Sequence, residues 1–181
     1  VIKKYGIPNH RRPVCTRELK KNTIRAYAKS IGWKKYYTAI GIRADEIDRI
    51  SKDKDKDRLI YPLINLGITK KDILSFWNKQ GFDLQLKEHQ GNCDCCFKKS
   101  FKKLSILVTE DNKMFNWWKR MERKYGSFAS PNQKALLDKI SRGEKLTFYR
   151  GNNSVNDILS GNIKKSNRKV KNSCSESCEP F

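Results

Sequence analysis

The sequence predicts an α/β fold with a helical C-terminal portion, and three observations lead to that class. Residues 36–42 are aromatic and β-branched and are followed at once by polar residues, as is typical of a buried strand that runs into a loop. Residues 59–61 form a second short apolar run, which ends at Pro62. Apolar residues at helical spacing precede these strands and recur along much of the chain after them.

The first helix is predicted over residues 17–31, where apolar residues recur on one face and Lys and Arg occupy the other. Gly32 is expected to end it. Cys15 lies at its N-terminal edge, where the positive end of the helix dipole favours a thiolate. Residues 1–14 contain two prolines and a glycine and are expected to form an exposed connector. The charged run over residues 51–58 is expected to be a solvated loop.

Further helices are predicted after the second strand. Thr69 and Asp72 have the spacing of a capping box and predict a helix that ends at Gly81. Helical spacing of apolar residues predicts two more helices, over residues 97–108 and residues 114–125. Two short helices complete the series, one opened by Ser130-Pro131 and one capped by Ser154.

The chain is strongly basic. Forty Lys and Arg residues against nineteen Asp and Glu give the 181 residues a formal net charge of +21. Such an excess produces a positive surface potential and favours polyanionic partners, of which nucleic acid is one. The opposite interpretation, that scattered lysines reflect only an AT-rich genome, stays open. The densest basic blocks are Lys34-Lys35, Lys98-Lys99, Lys102-Lys103 and residues 164–171.

Several classes of protein are not expected from this sequence. No apolar run is long enough to cross a membrane, and the first residues do not resemble a signal peptide, so the protein is expected in the cytoplasm. The chain has no P-loop, dinucleotide-binding loop, His-Glu-x-x-His motif or Gly-x-Ser-x-Gly motif. His10 and His89, interpreted as isolated surface residues, are not expected to be catalytic.

Half of the six cysteines lie between Cys93 and Cys96, and the compartment favours metal or redox roles over disulfides. A two-residue spacer lets the sulfur atoms of Cys93 and Cys96 face one ion. Cys15 and one of Cys174 or Cys178 would complete four thiolates around zinc or an iron–sulfur cluster. Two alternatives stay open: Cys174 or Cys178 is a redox group or nucleophile, or the cysteines have no special role.

Four motifs follow one another within residues 13–120: Cys15-Thr16-Arg17-Glu18-Leu19-Lys20, then Ala39-Ile40-Gly41-Ile42-Arg43-Ala44-Asp45-Glu46-Ile47-Asp48-Arg49, then Tyr61-Pro62-Leu63-Ile64 before Ile68-Thr69-Lys70-Lys71-Asp72-Ile73, and then Gly91-Asn92-Cys93-Asp94-Cys95-Cys96. In this order they resemble the phosphoadenosine phosphosulfate reductase family, most closely its phage and mobile-element branch. The combination of the second and third motifs is fairly specific, whereas each piece alone would be a weak signal. On this resemblance the host is a bacterial cell or a phage-infected cell.

The resemblance implies an adenine-nucleotide α-hydrolase-like fold, in which a mostly parallel sheet, here partial, is flanked by helices and an adenylated substrate lies across the strand C-termini. It implies that Arg43, Glu46 and Arg49 lie near the nucleotide, and Arg17 and Lys20 near its phosphate or sulfate groups. Arginine suits this task because its fork matches oxyanions, and lysine supplies a mobile point charge. The opposite interpretation is that Arg43, Glu46 and Arg49 form a surface salt-bridge cluster.

The chain departs from the family pattern in two respects. Members carry a Ser-Gly-Gly-Lys-Asp-Ser pyrophosphate loop upstream of the first motif, and this sequence has none. We expect the chain to be the C-terminal part of a longer protein; the alternative is that the loop and catalysis are lost. The reductases attack sulfate with a C-terminal cysteine, for which Cys174 and Cys178 are the candidates, and a small dithiol protein regenerates them. Related adenylyl-sulfate enzymes instead bind a four-iron cluster through cysteines.

The predicted organisation has three parts: a C-terminal portion of a reductase-like α/β domain over residues 1–90, a cysteine cluster with a helical subdomain over residues 91–160, and a basic cysteine-containing tail over residues 161–181. The predicted function is binding of adenylylated sulfate or ATP with sulfur transfer or reduction, in an enzyme with a cysteine-ligated zinc or iron–sulfur site and a thiol reductant. Two alternatives stay open: an ATP-dependent nucleic-acid-modifying enzyme of the same fold, and a non-catalytic basic metal-binding module.

Overall fold

The computed structural model of the protein describes residues 1–9, 12–83, 85–91 and 93–164, which form two compact units. Unit 1 consists of residues 1–20 and the described residues from 87 onward, and unit 2 consists of residues 21–86. Helices and a small parallel sheet make the protein a mixed α/β protein, which confirms the predicted class at this level. Cys174 and Cys178 lie outside the described residues.

Short helices account for most of the regular structure. None of those described is long and apolar enough to cross a membrane. In chain order the elements are α1 (Ile2–Tyr5), a π-helical turn (Thr16–Lys21), α2 (Asn22–Ser30), β1 (Thr38–Ala39), a 3₁₀ helix (Ala44–Arg49), β2 (Leu59–Ile60), α3 (Pro62–Asn65), α4 (Lys70–Trp77), α5 (Phe101–Glu110), a 3₁₀ turn (Asn112–Met114), α6 (Phe115–Tyr125), α7 (Lys134–Ser141), a 3₁₀ turn (Arg150–Asn152) and α8 (Val155–Ser160).

Unit 2 is organised around the parallel pair of β1 and β2, in which Thr38 lies opposite Leu59. The sequence predicts a longer first strand over residues 36–42, and this is wrong: only two of those residues pair, and only Ile42 is buried. Within the described residues each strand pairs only with the other, and the ladder covers two residues of each. Ile42, Leu59 and Tyr61 form the small core of this unit.

The charged loop over residues 51–58 is mostly exposed, as predicted, but it is also joined by ion pairs to Lys21 and to Arg25 of α2. Asp57 accepts a hydrogen bond from Lys21 Nζ at 2.6 Å and another from Arg25 Nη2 at 3.1 Å. The Lys21 bond holds the pKa of the Asp57 carboxyl below its ordinary value. One carboxylate within a charged run can therefore attach the run to a neighbouring helix. The charge pattern of the sequence did not indicate this attachment.

Unit 1 has an extended apolar core in which α8 packs against α5 and α6. Phe148 lies at its centre, with ring centroids 4.5 Å from Trp118, 4.9 Å from Tyr149 and 5.6 Å from Phe97. Such offset and edge-on pairs add to the stabilisation from burial. The core residues are Ile7, Cys95, Phe97, Leu104, Leu107, Phe115, Leu146, Phe148, Tyr149, Val155 and Ile158.

A half-buried carboxylate joins three segments of unit 1. Glu122 on α6 accepts hydrogen bonds from the backbone N–H of Phe148 at 2.7 Å and of Val155 at 2.8 Å. Val155 is the first residue of α8, so the carboxylate also lies at a helix N-terminus, where negative charge is favourable. Burial nevertheless raises the pKa of Glu122 above its ordinary value.

Several predicted helix boundaries are wrong, each for a local reason. Residues 2–5 are not a connector but form α1, after which Gly6 turns the chain at φ 76°; a Cβ atom there would lie 2.5 Å from the Phe128 carbonyl oxygen. The predicted helix over residues 97–108 begins only at Phe101, because Ser100 accepts the Lys103 N–H and caps it. The helix assigned to Ser130-Pro131 begins at Lys134.

The predicted helix over residues 17–31 is present as a π-helical turn followed by α2, and Gly32 follows it at φ 82°. An amphipathic helix is expected to bury its apolar face, but this helix does not. Only Ala28 is buried, whereas Leu19 and Tyr27 are exposed by 62% and 66%. The pattern correctly indicated a helix but not the amount of surface that this helix covers.

Candidate functional site

The first candidate site follows the C-terminal end of β1 in unit 2. Arg43 is the last extended residue before the 3₁₀ helix that carries Asp45, Glu46 and Arg49. Because β1 and β2 are parallel, their C-terminal ends meet at one edge, which is where open α/β sheets bind ligands. The sequence therefore places a polar cluster at the edge where a ligand is expected.

Arg43, Glu46 and Arg49 are in direct contact. Arg49 Nη1 lies 2.5 Å from Glu46 Oε1, and Arg43 Nη1 lies 3.4 Å from Glu46 Oε2. The Arg43 N–H also donates to Glu46 Oε2 at 3.4 Å, which closes a capping box at the start of the 3₁₀ helix. Arg49 and Glu46 side chains are only 11% and 17% exposed, so this pair belongs to the frame of the site.

Asp45 occupies the outer side of the cluster. It accepts from Arg43 Nε at 3.0 Å and from Arg43 Nη2 at 3.3 Å, a bidentate arrangement that lowers the pKa of its carboxyl. It also accepts the Lys70 N–H at 3.2 Å, which ties the cluster to the start of α4. The structure therefore contains the salt-bridge cluster that the opposite interpretation predicts, because two arginines face two carboxylates.

Arg17 and Lys20, predicted near the phosphate or sulfate groups of the same ligand, belong to unit 1. Arg17 pairs with Glu18 at 2.8 Å and lies over the Tyr5 ring at 5.2 Å from its centroid. Its side chain is 54% exposed, and Lys20 is exposed as well. Their part in a nucleotide site stays a prediction.

The second candidate site is the cysteine segment of unit 1, and its three thiols differ in environment. Cys93 is exposed, Cys96 is half-buried and Cys95 is a core residue with 3% exposure. Burial raises the pKa of Cys95 to about 12, so this thiol stays protonated at neutral pH. The Cys96 N–H donates to the Cys93 carbonyl at 3.2 Å, so both ends of the Cys-x-x-Cys spacing belong to one turn.

The segment does not lead directly into a helix. Residues 93–99 form turns, and α5 begins at Phe101 instead of residue 97. Buried side chains hold the segment. Lys99 Nζ donates to the carbonyl oxygens of His89 at 2.5 Å and Gly91 at 2.6 Å. Tyr149 Oη donates to the Cys95 carbonyl at 3.1 Å. The turn is therefore fixed from the core side.

Lys98 and Lys99, predicted as part of a surface block for phosphate contact, are buried with 8% and 6% exposure, so that prediction is wrong for this pair. His89 is also buried, not at the surface, and its Nε2 lies 2.7 Å from Glu110 Oε2. Lys87 Nζ pairs with the other oxygen of Glu110 at 2.8 Å. The burial of Lys98 and Lys99 was not predicted, because a short basic run in the sequence gives no signal of burial.

The predicted metal site has five candidate ligands: Cys15, Cys93, Cys96, Cys174 and Cys178. Cys15 is half-buried against the core of unit 1. In the part of the chain that the structure describes, no three His, Cys, Asp or Glu side chains come together as a metal-binding group. Cys174 and Cys178 fall outside that part, so the complete set remains a prediction.

The aromatic sequence at the start of α6 is mostly core. Phe115 is fully buried and Trp118 packs on Phe148, whereas Trp117 is 44% exposed. The sequence also favours core positions over stacking platforms for the four tryptophans, and this holds only for Trp118, because Trp33 and Trp77 are exposed by 57% and 39%.

Comparison with known proteins gives one relative of note. The chain is 32% identical over 193 aligned positions to an uncharacterized nin region protein, ORF290, of Escherichia phage lambda. The alignment covers all of this chain and 62% of the phage protein. No protein-family model matches the chain, and no solved structure matches it. The phage source of the relative is consistent with the phage origin that the sequence predicts.

Proposed function

We propose that the protein is phosphoadenosine phosphosulfate reductase-like: it binds an adenine nucleotide on an adenine-nucleotide α-hydrolase-like domain and acts in sulfur transfer or reduction. The single observation that carries this proposal is the cluster of Arg43, Glu46 and Arg49 at the C-terminal edge of a parallel pair. It occupies the position at which a ligand meets an open α/β sheet. The motif resemblance supplies the chemical class of that ligand.

The geometry of the cluster supports separate roles for its members. Arg49 is held by Glu46 in a shielded pair and fixes the frame. Arg43 presents its Nε and Nη2 atoms to Asp45, which is 39% exposed. A phosphate or sulfate group uses the same bidentate geometry as this carboxylate. An incoming ligand would therefore replace Asp45 at the Arg43 fork.

Binding of adenylyl sulfate and ATP, measured by calorimetry on the whole chain, tests the proposal. Arg43→Ala should weaken binding about 10-fold or more, because a charged hydrogen-bond pair contributes about 1.5–3 kcal/mol. Asp45→Asn should strengthen it, because the competing carboxylate loses its charge. Arg123→Ala removes an exposed arginine of unit 1 and is the matched control. Equal affinities of the Arg43 and Arg123 variants would contradict the proposal.

The same proposal includes a cysteine-ligated zinc or iron–sulfur site. Cys93 and Cys96 in one turn suit two thiolate ligands. No three ligands come together among the described residues, which include Cys15, Cys93 and Cys96, so a complete set requires Cys15 to approach that turn and Cys174 or Cys178 to join it. No step of the reaction is assigned to the metal. The nucleotide site and the metal site can therefore fail independently.

Metal content separates these outcomes. Protein purified without oxygen should contain stoichiometric zinc or iron, and Cys93→Ser with Cys96→Ser should remove it. Cys95→Ser is the matched control, because Cys95 is a core thiol with a pKa of about 12 and should leave the metal content unchanged. Absence of both metals from the unaltered protein would exclude the metal part alone.

The net charge of +21 supports the second candidate, an ATP-dependent enzyme of the same fold that acts on nucleic acid. Its test is binding to single-stranded DNA at several salt concentrations. Contacts with several phosphates make the affinity fall steeply as salt rises. A shallow salt dependence would exclude this candidate and would leave the nucleotide-binding proposal untouched. Binding of DNA and metal without ATP or adenylyl sulfate would instead favour a non-catalytic basic metal-binding module.

A further inference from the structure

Unit 2 has a cavity of about 270 Å³ at the end of the sheet opposite to the Arg43 cluster. Thr38 and Leu59, the first residues of β1 and β2, line it together with Ile24 on α2. Since the strands are parallel, both contribute their N-terminal ends here, whereas Arg43 follows the C-terminal end of β1. The cavity is therefore separate from the proposed nucleotide site.

The polar lining of the cavity is predominantly cationic. Lys21 and Arg25 line it from α2 and the residue before it, and Lys56 and Arg58 line it from the charged loop. The single carboxylate among the lining residues is Asp57, which is shared by Lys21 at 2.6 Å and Arg25 at 3.1 Å. One negative charge thus faces four positive charges, and this excess favours an anionic ligand.

The remaining wall is apolar and aromatic. Ile24, Tyr36 and Leu59 contribute to it, and Leu59 is one of the core residues of unit 2. Cationic groups beside an apolar wall suit an anion that carries an organic portion better than they suit a bare inorganic ion. The volume lies just below the range of about 300–1,000 Å³ that is usual for ligand sites, so the ligand is small.

The backbone fixes the cationic loop in an unusual conformation. Arg58 has φ 52°, in the left-handed region that non-glycine residues seldom adopt. Its carbonyl oxygen accepts the Thr38 N–H at 2.9 Å, and the following Leu59 N–H donates to the Lys54 carbonyl at 2.7 Å. Such conformations persist where the surrounding structure enforces them, which is frequent at binding sites. The Arg58 side chain is therefore presented to the cavity by a fixed backbone.

We propose that this cavity binds a small organic phosphate, as a second site distinct from the one at the C-terminal edge. Lys56 and Arg58 contact the phosphate group, and Tyr36 contacts the organic portion. Asp57 limits the affinity because it holds Lys21 and Arg25. The site does not depend on the proposed reaction at Arg43.

Phenyl phosphate and inorganic phosphate are suitable probes, because neither contains an adenine nucleotide. Calorimetry on the whole chain should show saturable binding of phenyl phosphate, with weaker binding of inorganic phosphate. Lys56→Ala combined with Arg58→Asn should weaken phenyl phosphate binding at least 10-fold; Asn is chosen because it tolerates the left-handed backbone. Lys56→Ala alone should weaken it several-fold. Lys52→Ala, in the same loop but not among the lining residues, should change it less than twofold.

Asp57→Asn gives a prediction of opposite sign. It releases Lys21 and Arg25 toward the cavity, so phenyl phosphate should bind several-fold more tightly. Circular dichroism establishes which variants are folded before binding is compared. Three results would overturn the proposal: no saturable binding by the unaltered protein, an equal loss in the Lys52 and Lys56 variants, or loss of phenyl phosphate binding in Arg43→Ala, which would assign the probe to the other site.

Discussion

The two units of the protein differ most in how much apolar surface they bury. Among the residues that the structure describes, unit 1 encloses a core of eleven buried residues, whereas the core of unit 2 contains Ile42, Leu59 and Tyr61. Yet unit 2 carries most of the large hydrophobic side chains that are exposed in the described residues. Those of unit 2 are Ile24, Tyr27, Ile31, Trp33, Tyr37, Ile47, Ile60, Leu66, Leu74, Phe76, Trp77, Phe82 and Leu86.

This contrast separates two sources of stability. Unit 1 is held by packed aromatic rings and by a carboxylate that satisfies buried backbone donors. Unit 2 is held by ion pairs near its surface, such as Lys21 with Asp57, and by capped helices. Surface ion pairs contribute about 0–1 kcal/mol each, far less than a buried aromatic side chain. We therefore expect substitutions in the core of unit 1 to lower the free energy of unfolding strongly, and comparable substitutions in unit 2 to lower it much less.

The largest effect is expected for Phe148→Ala, which removes the central ring of unit 1. The free energy of unfolding should fall by about 3–5 kcal/mol, the usual cost of such a cavity. Urea unfolding followed by tryptophan fluorescence measures it, with Trp118 4.5 Å from the ring as a reporter. A loss below about 1 kcal/mol would show that unit 1 does not depend on this core.

Glu122→Ala should be next, because it leaves the Phe148 and Val155 N–H groups without their acceptor. Each buried donor left unpaired costs about 1–3 kcal/mol, so we expect about 2–4 kcal/mol in urea unfolding. The counterpart in unit 2 is Asp57→Asn, whose loss should stay within about 1 kcal/mol. Similar losses in both variants would remove the distinction between the units.

Glu122 also gives unit 1 a pH dependence of defined sign. Its folded pKa is raised above the ordinary value of 4.5, so the folded state binds the proton more tightly than the unfolded state. The associated stabilisation is complete below pH 4.5 and is lost as the pH rises through the folded pKa. Glu122→Gln should abolish this dependence in urea unfolding between acid and neutral pH. An unchanged pH profile in that variant would exclude Glu122 as the cause.

Removal of helix caps should have a smaller and unequal effect. Ser154 and Thr69 both cap helices through a capping box. Ser154→Ala should cost about 1 kcal/mol globally, because α8 buries Val155 and Ile158. Thr69→Ala should instead increase hydrogen exchange locally in α4, which has no buried residue. Equal global losses from the two changes would contradict the proposed difference.

The smallest effect is expected for Phe76→Ala in unit 2, although the side chain deleted is the same as in Phe148→Ala. Phe76 is 55% exposed and contacts Trp77 at a centroid distance of 5.2 Å. Exposed substitutions usually change stability by less than about 0.5 kcal/mol. Fluorescence of an apolar dye should fall in this variant while urea unfolding stays almost the same. A loss of several kcal/mol would show that Phe76 is covered in solution.

Local signals in the sequence were reliable because their causes are local. The capping box at Thr69, the cap at Ser154, the second strand before Pro62 and the helix that ends at Tyr125 are present as predicted. The clustering of Arg43, Glu46 and Arg49 was also predictable, because the three residues lie within two turns of one segment.

Features that depend on distant partners were not predictable. The length of β1 depends on its pairing with β2, a later segment of the chain, and the burial of Lys99 depends on carbonyl groups ten and eight residues earlier in the chain. The attachment of residues 51–58 depends on Lys21 and Arg25, over thirty residues away in sequence. A composition-based expectation of solvated loops and surface lysines cannot include such contacts.

The graded burial of the cysteine turn gives the protein an internal indicator of unfolding. Cys93 is open to solvent, Cys96 is half-covered and Cys95 lies in the core beneath the Tyr149 hydroxyl. An alkylating reagent should therefore modify Cys93 first, then Cys96, and Cys95 only when the core of unit 1 opens. The rate of Cys95 labelling, read by mass spectrometry, would then measure the opening of unit 1 in the unaltered protein.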